Sequence, residues 1–285
     1  MKKCPYLAMF FLIALFACDK DEDNQLKTDP PLSMQERVIS LLGSYETGDS
    51  TKAVEYINPN NFVQHNLHIA DGLEGMVKAI SDGILKGTKI VPLRVLIDDD
   101  LIITHGEYQM NNISMVGFNI FRFKNDKIVE HWDNLQLAAG PNPSGHSMTD
   151  GAIDIMDESK TQANKDLIRN FTNEILIAGQ DSLVSDFFNG NDLIQHNPTM
   201  KDSVSSWQAA LENLSEQGTE LIYHQLQKVV AQGNFVLAIS DGQMGGQPMA
   251  FYDLYRLEND KIVEHWDVTE EIPDESTWSH NNGKF

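Results

Sequence analysis

Asn125-Asp126-Lys127-Ile128-Val129-Glu130-His131-Trp132-Asp133 recurs without a mismatch as Asn259-Asp260-Lys261-Ile262-Val263-Glu264-His265-Trp266-Asp267, at an offset of 134 residues. An identity of this length is not chance, and the offset far exceeds the roughly 20–50-residue period of solenoid and propeller units. The unit duplicated is therefore a whole domain.

Each copy begins with an Asn-Asp pair, two residue types that tolerate the left-handed backbone of a tight hairpin. In the strand that follows, strict alternation puts Val263, His265 and Asp267 on one face and Ile262, Glu264 and Trp266 on the other. Arg256 stands ahead of the turn, where it can meet Glu264 across the ladder. If they pair, Arg256, Glu264 and Trp266 form the outer face and Asp253, Tyr255, His265 and Asp267 the inner one; the opposite assignment stays open because the sequence does not fix the hairpin register. The matching inner residues of the first copy are Asn119, Phe121, His131 and Asp133.

Upstream of the first hairpin, apolar spacing predicts helices at 34–45, 53–57 and 73–84, the first opened by Ser33 and Glu36 as a capping box. Period-two strands follow at 90–97, 101–108, 114–123 and 127–136. The second copy repeats this with helical stretches at 164–177, 183–188 and 203–214 and strands at 221–230, 235–241, 248–257 and 261–269. Helices first and strands after predict an α+β fold: two modules, 33–138 and 164–272, each with about three helices packed on a curved antiparallel sheet. Residues 139–163 read as a turn-rich linker and 273–285 as a tail. Gln64-His65-Asn66 matches Gln195-His196-Asn197 at an offset of 131, which places a three-residue insertion between Thr219 and Val229. Asp71 and Asp202 are expected to cap the helices that follow them.

This element order, the two Gln-His-Asn segments, and the Asp253-Leu254-Tyr255-Arg256 strand running into the repeated hairpin resemble the SnoaL-like branch of the nuclear transport factor 2-like superfamily. The resemblance implies a cone of three helices and a strongly curved sheet around an apolar pocket. From the polyketide cyclase members it further implies an aspartate and a nearby polar residue carrying out acid–base chemistry on an intramolecular aldol closure. The aspartate falls on Asp133 and Asp267, and its partner on Asn119 and Asp253. Single-copy relatives pair through the outer sheet face, so the two modules are expected to form an intramolecular pseudo-dimer that buries Trp132 and Trp266. Because this fold hosts cyclases, isomerases, hydrolases, dehydratases and plain binders, function must come from the site.

Abstracting a proton beside a carbonyl needs a carboxylate lifted towards neutrality by burial and a donor for the developing enolate. Asp253 and Asp267 in one apolar cone would push their pKa values apart and leave one of them protonated. His196 and Asn197 at the mouth, His265 and Tyr255 on the sheet, or His65, Asn66 and His131 in the first copy, could contact or orient a ligand. The copies differ at Asn119 against Asp253 and at His105 against Ile239, so the pockets are unequal. Three readings of His-Trp-Asp stand side by side: a hydrogen-bonded sheet edge, a ligand contact, and a catalytic group. For His65 and His196, bracing the next helix stands beside lining the pocket. The expected partner is a small, mostly apolar molecule, either transformed by cyclase, isomerase or lyase chemistry or simply bound.

No metal and no cofactor are expected. His65, His68, His105 and His131 follow no ligand spacing, and there is no phosphate loop, cysteine nucleophile or serine elbow. The formal charge of −21 and the lack of a basic stripe exclude nucleic acid as a partner.

Met1-Lys2-Lys3 and the apolar run 6–16 read as a secretory signal peptide, 1–17. Leu15-Phe16-Ala17-Cys18 is similar to a bacterial lipobox, which would lipidate Cys18 and hold the protein to a membrane; an ordinary cleaved signal is the alternative. Residues 18–32 form an acidic tether, similar to signals that send lipoproteins to the outer membrane. The expected address is the bacterial cell envelope, periplasmic or surface-exposed. Cys4 leaves with the signal, so no disulfide is expected.

Overall fold

The structure, a computed structural model, describes residues 31–285. The expected signal, Cys18 and most of the acidic tether lie outside the described residues. Ser33 accepts the backbone N–H of Glu36, and Glu36 accepts that of Ser33, which completes the predicted capping box at the start of α1 (Met34–Thr47). Gly48, at φ 73°, ends this helix in the left-handed region. Then come α2 (Thr51–Tyr56), a two-residue strand β1 (Val63–Gln64), α3 (Gly72–Ser81), and the long strands β2 (Lys89–Asp98), β3 (Leu101–Met110), β4 (Ile113–Lys124) and β5 (Lys127–Leu137).

The second pass runs α4 (Thr161–Phe171), a π-helical continuation (Thr172–Ile177), a 3-10 segment (Asp181–Asp186), β6 (Ile194–Gln195), α5 (Val204–Glu216), β7 (Leu221–Gln232), β8 (Phe235–Met244), β9 (Gln247–Glu258) and β10 (Lys261–Glu271). Sheet orders are β1-β5-β4-β3-β2 and β6-β10-β9-β8-β7. The chain is thus two α+β modules. The four long strands of each sheet are antiparallel, but β1 and β6, the start of each Gln-His-Asn segment, pair parallel to β5 and β10. The sheets are therefore mixed rather than purely antiparallel.

Register decides the faces. His265 pairs with Tyr255 and Asp267 with Asp253, while Glu264 pairs with Arg256 and Trp266 with Leu254. Strict alternation fails at one residue. A register shift between Ile262 and Glu264 leaves Val263 as an extra residue and turns Ile262 inward, where it packs with Tyr255 and Leu257. The expected insertion is partly absorbed by β7, which has 12 residues and two register shifts against 10 residues and one shift in β2.

Each inner face packs its own helices: Val38, Leu41 and Tyr45 against Phe121 and Phe123 in the first module, Phe171 and Trp207 against Tyr255 in the second. The outer faces share one buried cluster that holds Phe118, Ile120 and Trp132 together with Leu237, Tyr252 and Trp266. Burying Trp132 and Trp266 this way, at 2% and 0% exposure, removes from water two of the largest apolar surfaces in the chain.

The linker and the tail are packed segments too. Met148 joins the cluster between the sheets, and Asn142 donates its side-chain N–H to the Gln195 carbonyl. At the other end, the tail returns to the first module: Ser279 N–H donates to the Leu67 carbonyl and Asn282 to that of Gln64. Each module is thus strapped at its β1 or β6 edge by the segment that follows the other module's sheet.

Candidate functional site

The two-residue strands organise both interiors. Gln195 Oε1 accepts the backbone N–H groups of His196 and Asn197, at 3.0 and 3.1 Å, and also faces His265 Nδ1 at 3.0 Å. Gln64 does the same for His65, Asn66 and His131. Two backbone donors identify that atom as the amide oxygen, so Nδ1 of His131 and of His265 must carry a proton. The chemistry then lies at Nε2.

In the second module, Nε2 of His265 lies 3.1 Å from Asp253 Oδ1. A bare lone pair cannot face a carboxylate, so the pair holds a further proton between them. The hydroxyl of Tyr223, on β7, lies 3.2 Å from Asp253 Oδ2. Burial, with the Asp253 charge beside it, pushes the Tyr223 hydroxyl well above its usual range and keeps it a donor. In the first module, Nε2 of His131 lies 2.9 Å from the side-chain amide of Asn119, which in turn meets the Tyr108 hydroxyl. With that amide turned so that its NH2 faces the ring, every bond from Gln64 to Tyr108 is made with a neutral imidazole. Burial pushes His131 down to about 3, in agreement.

Asp133 and Asp267 each accept the side-chain N–H of Asn66 or Asn197 at 2.6 Å, and each leaves its Oδ1 buried without a hydrogen bond, though Lys284 lies 4.0 Å from that of Asp133. Burial raises the Asp267 carboxyl, His265 opposes this and Asp253 adds to it. Asp267 as a residue is only half-buried; it is the unpartnered oxygen that is hidden. The register thus brings Asp253, Tyr255, His265 and Asp267 together on one face, and Asn119, His131 and Asp133 on the other module's equivalent.

Several expected site residues sit elsewhere. His105 is on the outer face, stacked on Phe118 and receiving a hydrogen bond from Arg94, because its β3 position alternates outward with Ile103. His65 and His196 also point outward, stacked on Trp132 and Trp266 at 4.8 and 4.6 Å. In a Gln-His-Asn strand only the first and third side chains face the interior, which leaves Asn66 and Asn197 inside. Asp71 and Asp202 make no side-chain cap to a helix; each accepts the backbone N–H of Gln64 or Gln195 instead.

Sequence reasoning missed the glutamines, although their repetition in both copies was a signal. It also missed Tyr108 and Tyr223. These come from non-equivalent strands, β3 and β7, so no repeat marks them.

A cavity of about 630 Å³ opens between the π-helical segment, α5 and β7, lined by Ile175, Leu176, Trp207, Leu211 and Tyr223, with Asp181 and Glu212 also on its wall. Neither Lys, Arg nor His lines it. The wider π turn carries Ile175 and Leu176 into that wall. Beside His265 itself lies a void of about 10 Å³.

No family model matches the chain, and no curated protein matches it. Among solved structures it is similar to an NTF2-like protein of unknown function from Cytophaga hutchinsonii, with 12% identity, 38% of this chain and 95% of that one covered, and a TM-score of 0.34. It is also similar to TsrD from Streptomyces laurentii, with 18% identity, 37% and 92% coverage and a TM-score of 0.32. A third is a candidate SnoaL-like polyketide cyclase from Jannaschia sp. CCS1, with 11% identity, 38% and 91% coverage and a TM-score of 0.30.

Proposed function

We propose that the protein is a SnoaL-like tandem of the NTF2-like superfamily that binds a small, mostly apolar molecule in the second module and transfers a proton there. The observation that carries this reading is the hydrogen-bonded run from the cavity wall inward, Tyr223 to Asp253 to His265. What supports it, among the described residues, is that this module combines a His–Asp pair with a cavity of ligand size, whereas the cavity of about 440 Å³ at Tyr108 in the first module stands before an amide, Asn119. The first module, with Asn119 and a neutral His131, is its structural partner, and the outer-face packing of the two is a pseudo-dimer within one chain. A wall without cations favours a neutral or positively charged ligand over a carboxylate. Proton abstraction next to a carbonyl, as in a cyclase, isomerase or lyase, is the reaction class.

An apolar fluorophore titrated against Trp207 emission tests the binding half: it should bind the wild type and lose affinity in Leu211→Arg. Unchanged binding in that variant would remove the cavity from consideration. A second reading, a binder without catalysis, draws support from the small void at His265, which leaves little room for a reacting atom beside the pair. Tyr223→Phe separates the two, since it spares a binder and slows an enzyme.

The address is part of the same proposal: export and a lipid on Cys18 at the bacterial envelope. Cys18→Ser should move the protein from the membrane to the soluble fraction.

A further inference from the structure

Away from both interiors, the strap between the modules brings His146 and Asp150 to His196. Candidate ligand atoms of these three residues all lie within 4.8 Å of one another. Nδ1 of His196 is 2.8 Å from Asp150 Oδ1, and Nδ1 of His146 is 4.0 Å from Asp150 Oδ2. The first separation is shorter, and the second, to the other carboxylate oxygen, longer than the ~3.3 Å expected between neighbouring donors on a tetrahedral zinc ion with bonds of about 2.0–2.1 Å, so the partly exposed His146 must close inward on an ion.

We propose that His146, Asp150 and His196 form a zinc site that fastens the inter-module segment to the second module. The geometry behind the ligands points the same way. Nε2 of His196 is held at 2.9 Å by Glu264, itself fixed by Arg256 at 2.6 Å. Nε2 of His146 is 3.2 Å from Asp202 Oδ2, while the other Asp202 oxygen accepts the Gln195 N–H. Each imidazole thus has its far nitrogen on a carboxylate and its Nδ1 turned towards a third, shared one. Carboxylates in that outer position orient histidines for a metal and raise their basicity. An ion has a way in, because the side chains of His146 and Asp150 are 32% and 46% exposed; the floor, His196 at 1%, is rigid. Two nitrogens and one carboxylate leave a coordination position for water.

Without metal, His196 Nδ1 faces the Ser147 carbonyl at 2.9 Å, so zinc must displace a proton and bind more weakly in acid. His65 makes the same contact to Gly283 at 3.0 Å, but the tail brings Asn282 and Lys284 there and no aspartate, and its histidine, His280, is bonded to the Asn66 carbonyl instead. The ligand set therefore belongs to one of two otherwise equivalent edges. Occupancy would reach the module contact directly: the Asp150 carbonyl accepts Trp266 Nε1 from the second sheet and Arg94 Nη2 from the first.

The test is zinc titration of the purified full-length chain by calorimetry, with metal counted by mass spectrometry after dialysis. A single zinc per chain, proton release on binding and a zinc-dependent rise in Tm are expected. His146→Ala and Asp150→Ala change partly exposed side chains and should abolish all three, whereas Asp202→Asn should weaken binding about 10–100-fold. Failure of the wild type to hold stoichiometric zinc overturns the site, leaving an ion-pair network. So does equal affinity in the wild type, His146→Ala and Asp150→Ala.

Discussion

Asp253 Oδ1 lies 3.1 Å from His265 Nε2, and at the same place in the first sheet the amide of Asn119 lies 2.9 Å from His131 Nε2. One carboxylate in place of one amide changes how many protons the two interiors hold. It leaves the surrounding fold alike, down to the glutamine that fixes each Nδ1.

Asp253→Asn should therefore give the second interior the histidine–amide pairing of the first. Because an asparagine already sits opposite a histidine in this fold, stability should change by no more than about 1 kcal/mol. Proton-transfer turnover should fall about 10²–10⁴-fold while ligand affinity stays within a few-fold. Steady-state kinetics beside a binding titration decides this, and turnover that survives the substitution removes Asp253 from the chemistry.

The reverse change probes the first module. His131 has a folded pKa of about 3, below its ordinary 6.5, so folding favours the neutral ring. Its contribution to stability is full above about 6.5 and is lost as pH falls towards about 3. Denaturant unfolding across that window should show the decline. Asn119→Asp would set a carboxylate against Nε2, raise the His131 pKa and flatten the decline. Ring-proton NMR reads the pKa, and a His131 titrating near 6.5 in the wild type would contradict the neutral, buried ring.

Asp267 has the opposite sign for an acid. Burial raises its carboxyl above the ordinary 3.8, so the protonated form is the one the fold prefers. That contribution is complete below 3.8 and disappears as pH climbs through the raised value. At neutral pH the ionised group, with one oxygen hidden and unpartnered, is a net cost. Asp267→Asn should raise stability at pH 7 by on the order of 1 kcal/mol, still accepting the Asn197 N–H, with the gain fading below pH 4. A loss at pH 7 would show that the carboxylate has a partner in solution.

The parts legible in the sequence were those set by short-range periodicity. The repeated Asn-Asp pair marked both hairpins, and Arg256 opposite Glu264 favoured the faces found, which place Asp253 opposite Asp267. Alternation failed where its own period breaks: a bulge at Val263, and a two-residue strand too short to show that His65 and His196 turn outward. His105 misled because β3 places polar and apolar side chains on both faces. The zinc-ligand candidates were invisible for a different reason, since His146 and Asp150 meet His196 only after the strap crosses to the other module. No local pattern encodes a reciprocal crossing.

The tail's crossing ends at Lys284, whose ammonium is nearly buried. It donates to Glu270 Oε2 at 2.7 Å and to the Asp133 carbonyl at 2.9 Å, and lies 4.0 Å from Asp133 Oδ1. Burial raises the Glu270 carboxyl, Lys284 opposes that rise, and Asp133 adds to it. Lys284→Met would thus leave two carboxylates facing each other without a cation. The expected cost at pH 7 is about 2–3 kcal/mol, below the usual range for a broken buried pair because Glu270 keeps 23% of its side chain exposed. As pH falls through the raised Glu270 pKa the neutral acid no longer needs a counter-charge, so the cost should shrink, and Lys284→Met with Glu270→Gln should recover most of it. Hydrogen exchange at His65, Asn66 and Leu67 should quicken on deletion of 279–285, which removes the Ser279, His280 and Asn282 bonds to this edge. A loss under about 0.5 kcal/mol, independent of pH, would mean that the tail rests on the first module without holding it.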